Sequence, residues 1–186
     1  MLRSEIHLTL PAWIHEAFDP DAVFASDQDK VALAIELSLR NLQERSGGPF
    51  GAVLFGPDHR VLAAAVNRVV PHATSLAHAE NMAYMLAQQR LHTPRLNDVV
   101  SPVVLAASSQ PCCQCYGATI WAGIDRLLIG ARSEDVVELT EFDEGPLPAD
   151  WIGELERRGI TVHRDILREQ ARAVLRRYGE AGGERY

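Results

Sequence analysis

Two short motifs contain the side chains best suited to catalysis. The first spans residues 78–80 (HAE) and the second spans residues 111–115 (PCCQC). Cys112 and Cys115 are three residues apart at the predicted start of a helix, so both sulfur atoms face one side. With the imidazole of His78 they form a donor set that zinc accepts, and a helix N-terminus favours the thiolate form. Three ligands leave a fourth position for water, which is typical of a catalytic zinc site.

Glu80 adds a group that can move protons beside the predicted metal. It lies two residues after His78, so it need not coordinate the ion and can face the metal-bound water instead. There it could act first as a general base and then as a general acid. The order H-x-E followed by P-C-x-x-C is the motif of zinc-dependent nucleobase deaminases, and this is the favoured interpretation.

The cysteines also allow other interpretations. A C-x-x-C pair can be redox-active, although a redox pair needs no distant His-x-Glu. The zinc could instead be structural, with His72 or His92 as the fourth ligand. Cys113 is out of phase with the other two cysteines, and we expect a small buried side chain there rather than a ligand.

The net charge of the chain bears on whether it binds nucleic acid. The formal net charge of the 186-residue chain is −7, which disfavours a nonspecific nucleic-acid binder because such proteins need cations against phosphates. Residues 157–186 nevertheless contain eight arginines and four acidic residues. This segment is either the solvated face of a helix or a basic surface for a charged partner.

Composition also bears on location. No apolar run reaches the ~20 residues that a membrane-spanning helix needs, and residues 1–13 make a poor signal peptide. Three cysteines within residues 112–115 form no disulfide framework and favour a reducing compartment. We therefore expect a cytoplasmic protein with no membrane partner.

Hydrophobic periodicity predicts alternating helices and strands that would position these motifs. Helices are expected at 27–45, 77–91, 111–121, 133–139, 150–158 and 165–178, with Ser26, Ser75 and Ser133 as caps. Strands are expected at 50–55, 61–66, 103–108, 127–130 and 160–163. A hairpin followed by helical crossovers indicates a mixed sheet with helices on both faces. We expect one domain over residues 1–186, with residues 1–26 as an N-terminal extension.

With these motifs the chain resembles the cytidine deaminase-like superfamily, and within it the guanine deaminase branch, over residues 27–186. The resemblance rests on GGPFGAVL (47–54), NRV (67–69), HAE (78–80), PCCQC (111–115), YGATIWAG (116–123) and FDEGP (142–146). It implies an α/β fold, namely a three-layer α/β/α sandwich with a five-stranded mixed sheet. It also implies one zinc ion per chain and a homodimer.

The resemblance further implies contacts with the substrate. Phe50 would stack on the base and Asn67 would hydrogen-bond the ring, while Trp121 and Ala79 would lie beside the pocket. Phe50 and Trp121 could equally be packing residues, and Asn67 could simply end its strand, because Asn is favoured in turns.

Two further features would complete the pocket. Glu144, or else Asp143, would supply an acidic group that reaches the substrate, although the same stretch could be an ordinary acidic turn. Tyr186 would close the C-terminal tail, residues 179–186, over the active site, although chain ends are often disordered.

The favoured function is hydrolytic deamination of a free nucleobase, with guanine converted into xanthine and ammonia as the first candidate. Glu80 would transfer the protons, and Glu144 would serve the far side of the ring. Cytosine, guanosine and triazines such as ammeline are alternatives, because one zinc chemistry serves all of them. A tRNA adenosine deaminase is less favoured, because Lys30 is the only lysine available against phosphates. Glu80 also argues against a non-catalytic, zinc-stabilised binding module.

Overall fold

Five strands form one mixed sheet in this computed structural model, which describes residues 4–186. The strands are β1 (Gly51–Phe55), β2 (Val61–Val66), β3 (Val104–Ser109), β4 (Arg126–Ala131) and β5 (Thr161–His163). Their order across the sheet is β2-β1-β3-β4-β5. β1 runs antiparallel to β2 and β3, whereas β3, β4 and β5 run parallel to one another, because helices connect these three.

Helices pack on both faces of the sheet. In the described residues they are α1 (Asp27–Gln43), α2 (Val69–His72), α3 (Ala79–Leu91), α4 (Cys113–Ala122), α5 (Ser133–Thr140), α6 (Trp151–Glu156) and α7 (Arg168–Glu180). One apolar core lies between the sheet and α1, α5 and α7, and a second lies between the sheet and α3, α4 and α6. Successive β1 residues such as Val53 and Leu54 alternate between the two cores. The predicted three-layer α/β/α sandwich is confirmed.

Local hydrogen bonds explain where two of the helices begin. The Ser26 hydroxyl accepts a hydrogen bond from the Asp29 backbone N–H at 3.0 Å, which caps α1 as predicted. The predicted cap of α5 was wrong by one residue. Arg132 occupies that position, and its backbone N–H donates to the Asp135 carboxylate at 2.8 Å, so Ser133 is already helical.

The remaining boundaries agree with the sequence to within three residues. The main correction concerns α3, which begins after His78 and not after Ser75, because His78 still has extended backbone (φ −67°, ψ 154°). The four-residue helix α2 was also missed, since it is too short for a periodic signal. Within residues 4–186 no helix combines the length and apolar character needed to cross a bilayer.

The described part of the N-terminal extension packs against the domain. Ile14 is buried in the core beside α1, and Trp13 Nε1 donates to Ser46 Oγ at 3.1 Å. Lys30 is fully buried on α1, where its Nζ donates to the Phe24 carbonyl oxygen at 2.6 Å. These contacts fix the extension beside the loop that leads into β1 and the functional site.

Candidate metal centre and active site

His78, Cys112 and Cys115 come together at the N-termini of α3 and α4. His78 Nδ1 lies 3.5 Å from Cys112 Sγ and 3.4 Å from Cys115 Sγ. The three ligand atoms all lie within 4.8 Å of one another. His78 and Cys112 are the N-cap residues of their helices, and Cys115 follows three residues after Cys112. Local helix geometry therefore directs all three side chains to one point.

This donor set fits a zinc ion. One imidazole and two thiolates are ligands that zinc accepts, and among residues 4–186 no fourth His, Cys, Asp or Glu joins the cluster. His72 is engaged elsewhere, with its Nε2 2.8 Å from the Thr9 carbonyl oxygen. His92 lies at the opposite end of α3 from His78. The arrangement therefore favours the open three-ligand site over a closed structural one.

Hydrogen bonds favour the thiolate form of Cys112. The bond from the Cys115 thiol, followed by the bond from His78, outweighs the opposing effect of burial and lowers the pKa of Cys112 to about 4. The thiolate is the form that binds a metal ion. Cys112 is therefore prepared for coordination at neutral pH.

Glu80 lies in the first turn of α3 and faces the same cavity as the metal ligands. Its side chain is buried, and this burial, reinforced by the negative charge of Cys112, raises the pKa of Glu80. A raised pKa brings a carboxyl group closer to the range in which a general acid–base catalyst both accepts and donates protons.

The cavity beside the ligands collects most of the predicted site residues. Eight of them line it: Phe50, Asn67, His78, Glu80, Cys112, Asp143, Glu144 and Tyr186. Gln110 and Phe142 also line it, and the sequence analysis missed both. The only signal for them in the sequence was their position. Gln110 directly precedes PCCQC, and Phe142 is the first residue of FDEGP.

Phe142 belongs to an aromatic cluster that holds the C-terminal tail. Its ring centroid lies 5.5 Å from that of Phe50 and 4.8 Å from that of Tyr186, and it stacks on Tyr178 at 5.7 Å. The Tyr178 hydroxyl donates to the Glu184 carbonyl oxygen at 2.6 Å. Tyr186 is therefore held on the cavity wall by its own chain.

Hydrogen bonds from two neighbouring segments hold the Asn67 backbone. Its N–H donates to the Phe50 carbonyl oxygen at 3.0 Å, and its own carbonyl oxygen accepts from Asn41 Nδ2 at 3.0 Å. Its side-chain Oδ1 accepts from the Val69 N–H at 3.2 Å. The side-chain NH2 group is thus the part of Asn67 that can donate to a bound molecule.

The two acidic residues of the FDEGP loop differ in environment. Asp143 is exposed, and its Oδ1 accepts from the Gly145 N–H at 2.9 Å, which closes a turn. Glu144 is more buried, and burial, together with the charges of Cys112 and Glu80, raises the pKa of Glu144 to about 8. Glu144 is therefore better placed than Asp143 to act on a molecule in the cavity.

Cys113 is exposed, which corrects the expectation of a small buried side chain. It is the first residue of α4, where the helix still faces solvent, and its thiol lies against Gly145 of the FDEGP loop. Its backbone N–H donates to the Glu144 carbonyl oxygen at 2.9 Å. Cys113 therefore connects the metal-binding helix to the loop without ligating the metal.

Two predicted substrate contacts do not line the cavity with their side chains. Trp121 is 77% exposed, because it lies six residues after Cys115 on a helix of 3.6 residues per turn and so points to another side. Ala79 is fully buried in the core. Its backbone N–H is one of the free donors in the first turn of α3.

We expect about one zinc ion per purified chain, because three ligands from one chain form the cluster. Cys115→Ala should lose most of the bound zinc, as measured by elemental analysis after dialysis. Cys113→Ser is the matched control, and it should retain full zinc because Cys113 is exposed and lies outside the cluster. Full zinc in Cys115→Ala, or loss of zinc in Cys113→Ser, would show that the ligand set is wrong.

Sequence comparisons agree with this geometry. A family model described as the cytidine and deoxycytidylate deaminase zinc-binding region matches residues 25–131, which include both metal-binding motifs. A probable cytosine deaminase of Schizosaccharomyces pombe is 30% identical over 130 residues, which make up 70% of this chain and 75% of that protein.

Solved structures share nearly the whole fold. A structure described as guanine deaminase from Nitrosomonas europaea is 40% identical with a TM-score of 0.89, and the match covers 97% of this chain and 99% of that chain. A variant of NE0047 in complex with 8-azaguanine is 41% identical with a TM-score of 0.89, over 95% of this chain and 98% of that chain. The ligand of that neighbour is a small nucleobase analogue.

Proposed function

Because this chain belongs to the cytidine and deoxycytidylate deaminase zinc-binding family, we propose that it deaminates a free nucleobase and that this base is guanine. Membership of this family identifies the chain as a zinc-dependent aminohydrolase. The identity of the ring that it deaminates is what we propose. The observation that supports guanine is a second carboxyl group in the cavity that Glu80 lines, that of the half-buried Glu144. The guanine deaminase from Nitrosomonas europaea supports the same ring, since it matches 97% of this chain.

In this proposal Glu80 carries the protons of the reaction. His78, Cys112 and Cys115 would hold the zinc ion, which supplies a Lewis acid that lowers the pKa of water to about 7. Glu80 accepts the proton that the attacking water loses and donates it to a ring nitrogen. It then accepts the second proton of the same oxygen, and the exocyclic nitrogen receives a proton from Glu80 directly or through Glu144 as a relay. The carbon–nitrogen bond breaks, ammonia leaves, and the new carbon–oxygen bond becomes a carbonyl of xanthine.

Other cavity residues would orient the ring. Phe50 would stack on it, and the Asn67 side-chain NH2 would donate to a ring acceptor, since Asn67 Oδ1 already accepts from Val69. Glu144 would pair with ring N–H groups on the side away from Glu80. Tyr186 would cover the bound ring and exclude water, which strengthens these interactions.

Ammonia release from guanine, cytosine, guanosine and ammeline tests the proposed ring. We expect guanine to have the highest kcat/KM, by at least about tenfold, which corresponds to ~1.4 kcal/mol of transition-state discrimination. Cys115→Ala protein, purified in parallel, measures the background. A higher kcat/KM for another ring would contradict guanine as the substrate but would leave the proposed deamination unchanged. No release from any ring by zinc-loaded protein would contradict the whole proposal.

A tRNA substrate receives less support from the charged residues. Lys30, the single lysine, is fully buried and so cannot reach a phosphate. Arginines near the chain end pair with nearby acids, such as Arg158 with Glu154 at 2.6 Å and Arg168 with Asp135 at 2.7 Å. These pairs favour the solvated helix face over a basic surface for nucleic acid.

The proposed location is the cytoplasm. All three cysteines of the sequence are free thiols in the structure, and two of them belong to the metal cluster. Thiolate ligands persist most readily in a reducing compartment.

The proposed assembly is a homodimer that joins through the outer faces of α3 and α4. An apolar groove there is lined by side chains that include Leu76, Met85, Leu86 and Trp121, all of them exposed in the single chain. A contiguous exposed apolar surface marks an interaction site, and tryptophan is enriched in interfaces. This groove explains why Trp121 points away from the cavity.

Wild-type protein should therefore be a dimer at micromolar concentration by light scattering, and Trp121→Glu should be a monomer. The substitution places a charge in the apolar groove, where its desolvation on dimerisation is costly. Val99→Glu is the control, because Val99 is 60% exposed but lies outside the groove. A monomeric wild type, or a dimeric Trp121→Glu, would contradict this interface.

A further inference from the structure

Gln110 lies between β3 and α4, on the wall of the cavity that also contains Glu80. It is 6% exposed, and its backbone N–H donates to the Ala131 carbonyl oxygen at 2.8 Å, which fixes the residue beside the end of β4. Pro111 follows and further restricts the backbone. The sheet thus fixes the position of Gln110, but no step of the proposed reaction involves its side chain.

The Gln110 side chain carries an acceptor without a partner. Within residues 4–186, Gln110 Oε1 is the single buried side-chain oxygen or nitrogen that takes part in no hydrogen bond. Buried polar atoms are nearly always paired, because an unpaired one destabilises the fold. An unpaired acceptor that belongs to a residue lining a binding cavity indicates that the ligand supplies the donor.

We propose that Gln110 is a specificity-determining residue whose Oε1 accepts a hydrogen bond from an N–H group of the bound amino heterocycle. The inference rests on the proposed function, since it assigns a role within the same site. Asn67, which lines the same cavity, offers the complementary group, because its Oδ1 accepts from the Val69 N–H and its NH2 is left to donate. The two amides together match a ring that presents both an acceptor and an N–H donor, as amino-substituted purines and pyrimidones do.

This arrangement selects among rings. A ring nitrogen without hydrogen would leave Gln110 Oε1 unpaired in the closed cavity, whereas a ring N–H pairs with it. Sites built to hydrogen-bond a substrate group reject analogues that lack this group far more strongly than apolar pockets reject a change in size. Gln110 therefore favours rings with an N–H at this edge.

Gln110→Met tests the inference, because methionine has similar length and flexibility but no comparable acceptor. In zinc-loaded protein we expect kcat/KM for guanine to fall at least about tenfold. We also expect the midpoint of urea unfolding to stay the same or rise, because the variant no longer buries an unpaired oxygen. Gln114→Met is the matched control, since the Gln114 amide bonds to the Ser75 carbonyl oxygen at 3.1 Å and lies outside the cavity.

Two results would overturn this role. One is a kcat/KM of Gln110→Met within about twofold of wild type, which would mean that Oε1 meets no substrate group. The other is a lower kcat/KM together with a lower unfolding midpoint or lost zinc, which would make Gln110 a structural residue. If wild type does not act on guanine, the proposed substrate fails separately, and the same comparison is made with the ring that wild type does deaminate.

Discussion

Replacing Glu80 by alanine is expected to lower kcat for guanine by about 10²–10⁴-fold while zinc content stays unchanged. Glu80 is the carboxyl group beside the three ligands, and no ligand atom of the metal cluster belongs to it. One residue here serves several proton transfers, so its loss affects each step. Glu80→Gln should be nearly as slow, because an amide of the same shape cannot exchange the proton.

The control for this measurement is Glu134→Ala. Glu134 occupies the first turn of α5, as Glu80 does in α3, but it is exposed. Its loss should change kcat by less than about threefold, as is usual for surface substitutions. A Glu80→Ala enzyme within about tenfold of wild type would remove Glu80 from the proton transfers.

Replacing Glu144 by alanine is expected to lower kcat by at least about 10²-fold, again with zinc retained, which corresponds to ~2.7 kcal/mol. Ring N–H groups left unpaired in a closed cavity cost roughly 1–3 kcal/mol each. The loss of a group that relays a proton to the departing amine adds to this cost. Glu144→Gln should recover part of the binding but little of the turnover.

Asp143→Ala distinguishes the role of Asp143 from that of Glu144, the other acidic residue of the loop. Because Asp143 is exposed and already bonds to the Gly145 N–H, its removal should lower kcat by no more than about threefold. The reverse result, with Asp143 essential and Glu144 dispensable, would move the role to Asp143. If neither substitution matters, the second carboxyl group has no role, and the case for guanine over cytosine weakens.

The sequence predicted the features that depend on local spacing. Cys112 and Cys115 are one helical turn apart, and His78 precedes Glu80 at the start of another helix. Local helix geometry fixes both relations, so they do not depend on the packing of the rest of the chain. The sheet was also predictable, because its strands are short apolar runs bounded by turns. The resemblance added Glu144, whose position depends on a loop that has no periodic signal.

The two residues that were missed depend on long-range packing, and two others were misplaced. Gln110 enters the cavity because β4 holds its backbone, and Phe142 because three aromatic rings surround it. Trp121 looked like a pocket residue from its motif, but the turn of α4 directs it outward. Cys113 looked apolar and buried, yet it faces solvent beside Gly145. Neighbours in space therefore decide the positions of Gln110 and Phe142, whereas helix periodicity decides the direction of Trp121.

The hydrogen bond from the Cys113 N–H to the Glu144 carbonyl oxygen joins two binding events. The donor belongs to the helix that carries two metal ligands, and the acceptor belongs to the residue proposed to hold the far side of the ring. We therefore expect order that the ion imposes on this helix to reach the loop through this bond, and order that the ring imposes on the loop to reach the helix. Thermodynamic reciprocity then requires that metal and ring raise each other's affinity by the same factor. A chelator should consequently be needed at a higher concentration to remove the ion at equilibrium from protein that is saturated with a ring analogue.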